Sequence, residues 1–141
     1  MSPRISRPEM SEKDLLNTVL DMCRFYRVRT AHFRPALTRD GRWVTPVQGD
    51  AKGWPDLALV GPGGALFREL KRQRGVLTLE QKHWQDVLRA AGLDVGVWRP
   101  SDLRSGRIKQ EIEAIAQPKT TRSEIAETRQ PYMEEAAHCD S

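Results

Sequence analysis

Apolar positions along the chain change period several times, and each change marks an element. Leu15, Leu16, Val19, Leu20, Cys23 and Tyr26 recur at helical spacing behind Ser11-Glu12-Lys13-Asp14, a capping-box-like start, and predict a helix over 11–26. "VRTAHFRP" (28–35) predicts a strand. "TRDGRWVTPVQGDAKGW" (38–54) is rich in turn formers and reads as a long functional loop with a short strand near Trp43–Val47. Apolar runs at 56–60 and 65–71 flank Gly61-Pro62-Gly63-Gly64 and predict a hairpin. Thr78 opens a helix reaching Gly92, which stands where a C′ glycine belongs. "DVGVWRP" (94–100) reads as a strand closed by Pro100. Leu103, Ile108, Ile112 and Ile115 predict a last helix over 102–116. Residues 1–10 read as a flexible arm, and 117–141, polar and acidic with no apolar stripe, as a disordered tail. The order of elements implies one α/β domain over 11–116 with a central mixed sheet flanked by helices.

Three charges interrupt the hairpin. Side chains alternate across a strand, so Asp56 shares a face with Ala58 and Val60, while Leu57 and Leu59 take the other. On the second arm Phe67, Glu69 and Lys71 share a face, and Leu66, Arg68 and Leu70 oppose them. The hairpin can therefore bring Asp56 beside Glu69 and Lys71. Two carboxylates forced together repel, and burial adds to the cost, unless a cation lies between them. All-oxygen ligation favours Mg²⁺, with Mn²⁺ as a substitute. A salt-bridged sheet face, with Lys71 neutralising one acid, is the alternative reading of the same charges.

Composition narrows the setting. The 141 residues suit one domain, and no apolar run approaches the length of a membrane span. "MSPRISRPEM" has no apolar stretch of the secretory kind. Cys23 and Cys139 have no nearby Cys or His partner, so neither a disulfide framework nor a zinc site is expected, and a reducing cytoplasm is. The net charge is +4, but 117–141 holds three basic against five acidic residues, which leaves +6 on 1–116. Of the 23 basic residues 17 are arginine, the side chain that forks onto phosphate oxygens. Nucleic acid is the partner this balance suggests.

Pro55-Asp56, twelve intervening residues, then Glu69-Leu70-Lys71 resembles the Pro-Asp … Asp/Glu-X-Lys signature of the PD-(D/E)XK nuclease superfamily. "GWPDLALV", "FRELK", "LTLEQKHWQDVLRAAGLDVGVWRP" and "SEKDLLNTVLDMCRFYRV" make the chain look like the VRR-NUC group within it, over roughly residues 11–116. The resemblance implies a restriction-endonuclease-like αβββαβ core. It implies metal binding by Asp56, Glu69 and the Leu70 carbonyl, and a Lys71 that holds the attacking water or steadies the pentavalent phosphate.

Other candidates carry two readings each. A first-helix glutamate completes the metal site of similar nucleases, which would be Glu12; an acid just after a Ser cap also simply suits the helix dipole. Gln81 belongs to a Thr78-Leu79-Glu80-Gln81 capping box, yet it shares a face with Trp84 and Leu88 that turns toward Lys71. The resemblance makes it an active-site glutamine. His32 has a counterpart in similar proteins, and Arg42, Lys52, Arg72 and Arg74 suit a DNA-backbone footprint as well as a solvated basic surface. Together these features imply a Mg²⁺-dependent endonuclease. Similar stand-alone proteins act on branched DNA such as four-way junctions, and symmetric cutting there would need a homodimer. A nuclease on unbranched DNA and a non-catalytic DNA-binding subunit are the alternatives.

Overall fold

The computed structural model describes residues 7–34, 36–44 and 49–119. Parts of the expected arm (1–6) and tail (120–141) lie outside them. Helix α1 (Glu12–Tyr26) starts where the Ser11 hydroxyl accepts the Asp14 N–H at 3.1 Å. It buries Leu15, Val19 and Cys23, one residue per turn. Cys23 is a core residue, and burial pushes its thiol up to about 11. The chain turns at Arg27, whose left-handed backbone lets its N–H close on the Arg24 carbonyl, and enters β1 (Arg29–His32).

Strands β4 (Leu57–Gly61) and β5 (Gly64–Leu70) form the hairpin, with Leu57 opposite Arg68 and Gly61 opposite Gly64. Helix α2 (Leu79–Ala90) then crosses over to β6 (Val95–Trp98), which lies parallel to β5. The main sheet runs β1-β4-β5-β6, antiparallel except for its last pair. The protein is thus an α/β fold with a central mixed sheet, and α1, β1, β4, β5, α2 and β6 follow the expected αβββαβ order. No helix among the described residues is long and apolar enough to cross a membrane.

The predicted last helix is two helices. Pro100 starts α3 (Pro100–Arg104) rather than merely ending a strand, as its fixed φ suits a first helical turn. Gly106 (φ +84°) breaks the path before α4 (Arg107–Ala116), because a left-handed residue cannot continue an α-helix. The expected strand near Trp43–Val47 is described over Trp43–Val44 (β3). It pairs with β2 (Ala36–Leu37) in a small sheet of its own inside the long loop.

The two faces of the main sheet differ in chemistry. Leu57, Leu59, Leu66 and Leu70 pack with Leu15, Val19, Ile108, Ile112 and Ile115 of α1 and α4. Each such buried side chain contributes about 2 kcal/mol. Arg68 lies on this face, opposite Glu69 as alternation predicts, but it is 2% exposed. Its guanidinium reaches the Asp94 carboxylate (2.8 Å), the Glu111 carboxylate (3.1 Å) and two backbone carbonyls, over the Trp98 ring. Glu111 also accepts the Trp98 indole N–H at 2.7 Å. The opposite face is where α2 lies, with Gln85 donating to the Gly96 carbonyl.

Candidate active site

Continuing the β4–β5 register one step past Leu57 and Arg68 sets Asp56 against Glu69, and another step sets Pro55 against Leu70. Opposed residues share a face, so the two carboxylates meet on the side away from the leucine core. Proline has no N–H, and the ladder ends there. Leu70 N–H turns instead to Asp56 Oδ2 at 2.9 Å, which fixes that carboxylate at the strand end. Lys71 follows, its N–H on the Trp98 carbonyl and its Nζ 3.8 Å from Glu69 Oε1.

Gln81 joins them through both of its expected roles at once. Its Oε1 accepts the Thr78 N–H (2.9 Å) and its N–H bonds the Thr78 hydroxyl, completing the capping box. Its Nε2 donates to Glu69 Oε1 at 2.9 Å. The cap sets the amide's orientation, so the start of α2 holds one oxygen of Glu69. The other, Oε2, is buried and finds no donor among the described residues.

Glu69 is 3% exposed. Burial and then the neighbouring Asp56 push its carboxyl up to about 8, against a weaker opposing pull from Lys71. At neutral pH it is therefore largely protonated.

An aromatic group supports the cluster from beside. Trp54 meets Phe33, Phe67 and Trp84 edge to face at 6.1, 5.8 and 4.9 Å. Gly53, one residue before, has φ +86°, and a Cβ there would stand 2.4 Å from the Glu80 carbonyl carbon. Only glycine allows the loop to lie this close to α2. Between loop and helix is an open cavity of about 310 Å³ lined by Asp50, Lys52, Leu79, Glu80, His83 and Trp84. Neither Asp56 nor Glu69 lines it.

No hydrogen bond or ion pair among the described residues joins the remaining candidates to the carboxylate pair. Glu12 is exposed in the first turn of α1, and no group of three or more His, Cys, Asp or Glu among the described residues is gathered closely enough to hold a metal. His32 is exposed and opposes Leu57, which directs it to the face away from Asp56. Arg42 pairs with Asp40 (2.9 Å) and Lys52 with Glu80 (3.2 Å), all at the surface. Arg72 and Arg74 are exposed on the loop after Lys71.

Sequence reasoning passed over the residue that shapes this loop. Arg99 Nη1 donates to the carbonyls of Arg72 (2.8 Å), Gln73 (3.3 Å) and Gly75 (2.7 Å). Gln73 accepts the Ser101 N–H at 2.9 Å and donates to its hydroxyl at 3.1 Å. The partners lie some 25 residues apart in the chain, beyond the reach of a local pattern.

No family model matches the chain, and no curated protein matches it. A solved structure described as a "VRR_NUC domain protein" is similar at 19% identity and a TM-score of 0.45, over 79% of this chain and all of that one.

Proposed function

We propose that the protein is a metal-dependent nuclease that hydrolyses DNA phosphodiester bonds at the Asp56–Glu69 pair. The observation that carries this reading is a buried carboxylate set against another, with one oxygen of Glu69 held by Gln81 and the other without a donor. A structural salt-bridged face would have no use for an orphaned, proton-holding acid. A pure DNA binder would have no use for clustered acids that repel phosphate.

The donor set fits Mg²⁺, which commonly takes one or two carboxylates and keeps several waters, so a third acid is not required. Asp56, Glu69 and the Leu70 carbonyl, which Pro55 cannot bond, would hold the ion. When bound, it would neutralise the acid pair and supply a water acidic enough to serve as nucleophile at neutral pH. Gln81 orients Glu69, and the Leu70 amide orients Asp56. The Lys71 ammonium stands beside Glu69 to stabilise negative charge that develops on a phosphoryl group. Attack at phosphorus breaks the bond to the 3′ oxygen. Arg72 and Arg74, on the loop that Arg99 holds, contact flanking phosphates.

We assign branched DNA as the substrate, since a single α/β domain this small has little surface for reading sequence and branch geometry can be read by shape. Paired incisions on a four-way junction would be made by a homodimer. The test incubates labelled four-way junction, flap, single strand and linear duplex with Mg²⁺. Wild type should cut the branched substrates, Lys71→Ala should be slower by about 10²–10³-fold, and EDTA should abolish cutting. Absence of cleavage on every substrate overturns the nuclease reading. Equal cutting of linear duplex removes the branch preference, and a monomer on junction DNA in sedimentation removes the dimer.

A further inference from the structure

The chain leaves the main sheet at Phe33 and rejoins it at Asp56, and these two residues meet. Phe33 N–H donates to the Asp56 carbonyl at 2.9 Å, and the Phe33 and Trp54 rings meet at 6.1 Å. The excursion is therefore pinched at its root, beside the carboxylate pair. Beyond the pinch, β2 and β3 place Leu37 opposite Trp43. Cross-strand partners share a face, so the two form one apolar patch, 58% and 70% exposed.

A two-stranded hairpin is marginal in water by itself, and this one turns its largest apolar groups to solvent. Its tip is nonetheless well ordered by hydrogen bonds. Thr38 N–H donates to the Arg42 carbonyl (2.7 Å), and Arg42 N–H to the Thr38 hydroxyl (3.0 Å). The Asp40 carboxylate accepts from the Thr38 hydroxyl and from Arg42 Nε, which occupies the acid within the tip. Arg34 at the root and Arg39 at the tip are exposed and make no ion pair among the described residues.

We propose that this hairpin is a stacking wedge: Trp43, backed by Leu37, packs on the face of an unpaired or terminal nucleobase while Arg34 and Arg39 hold the adjoining phosphates. The assignment rests on the nucleic-acid reading above and adds to it the group that meets a base. An indole face suits any base, because stacking needs only a π surface. Arginines around an apolar centre suit an anionic backbone around a base. A second copy is a poorer occupant, since a two-fold contact centred on the patch would bring like-charged arginines together. Continuous duplex hides its base faces, whereas a branch point or strand end presents them.

Trp98 is fully buried and Trp54 and Trp84 are half-buried, so a neutral quencher such as acrylamide reads chiefly Trp43. The experiment uses the 141-residue chain carrying Lys71→Ala, in Mg²⁺, with a four-way junction and a relaxed, covalently closed circular duplex that has neither a free end nor an unpaired base. The junction should remove the accessible part of the quenching, and the circle should not. Trp43→Ala in the same background should weaken junction binding about tenfold, with most of it restored by Trp43→Phe. A bound junction that leaves Trp43 quenchable overturns the wedge, as does equal shielding by the circular duplex or unchanged affinity in Trp43→Ala. Conversion of a dimer to a monomer by Trp43→Ala, with affinity per subunit unchanged, makes the patch a self-association surface and also overturns it. The readout is binding, so failure here is distinct from failure of the wild type to cut.

Discussion

Glu69 links the chemistry of the site to its stability. Its carboxyl is raised from 4.5 to about 8, so between those values the folded protein binds a proton that the unfolded chain has released. Metal-free protein should then lose stability as pH rises from about 4.5 to 8, by an amount on the order of a few kcal/mol. Thermal unfolding in EDTA across that range would show it, and Glu69→Gln should flatten the profile. Because a cation must displace this proton, Mn²⁺ affinity should rise with pH up to about 8 and level off above it. Calorimetry in buffers of different ionisation enthalpy should detect about one proton released per ion at pH 7. An affinity that does not vary with pH would place the ion elsewhere. At this scale much was legible: period-two alternation puts Glu69 and Lys71 on one face of their strand, and the hairpin register brings Asp56 beside them. What it cannot reach is the partner of each atom. Sequence offers Gln81 two roles, and one amide fills both: it caps with its oxygen and holds Glu69 with its nitrogen.

Among the elements, α2 and the loop that approaches it depend on each other most closely. Gly53→Ala would put a methyl group into the α2 backbone and impose an unfavourable φ. We expect a loss of about 2–4 kcal/mol in urea unfolding. In protein that still folds, withdrawal of Gln81 from Glu69 should weaken metal uptake. Arg99→Ala should instead leave metal affinity unchanged while loosening the Arg72–Gly75 loop, visible as faster amide exchange there. Helices and hairpin were legible because their apolar periods run unbroken over several turns or rungs. Of the small second sheet only β3, near Trp43, was expected; β2 was not, since a two-residue strand carries no period at all. The break in the last helix had a local signal in Ser105-Gly106, outweighed by the isoleucine spacing that runs through it.

Across the whole molecule, one face of the sheet is aliphatic and the other carries the polar cluster. The aliphatic side contains one charged exception, where Arg68 depends on Glu111 and Asp94. Glu111→Ala would leave the buried guanidinium with one acid and the Trp98 indole with none, for an expected loss of about 2–4 kcal/mol measured by denaturant midpoint. Excess positive charge on 1–116 should make DNA affinity fall steeply with salt, as each neutralised phosphate releases counterions. The separation of the two faces also bears on how such a protein would decay. Exchanging Glu69 for glutamine removes a carboxyl that burial keeps from ionising below about pH 8 and disturbs none of the leucines and isoleucines behind it. On the reading proposed above, a lineage with no use for cleavage could lose this carboxyl and keep its fold, because Glu69 serves the chemistry and the aliphatic face serves the core.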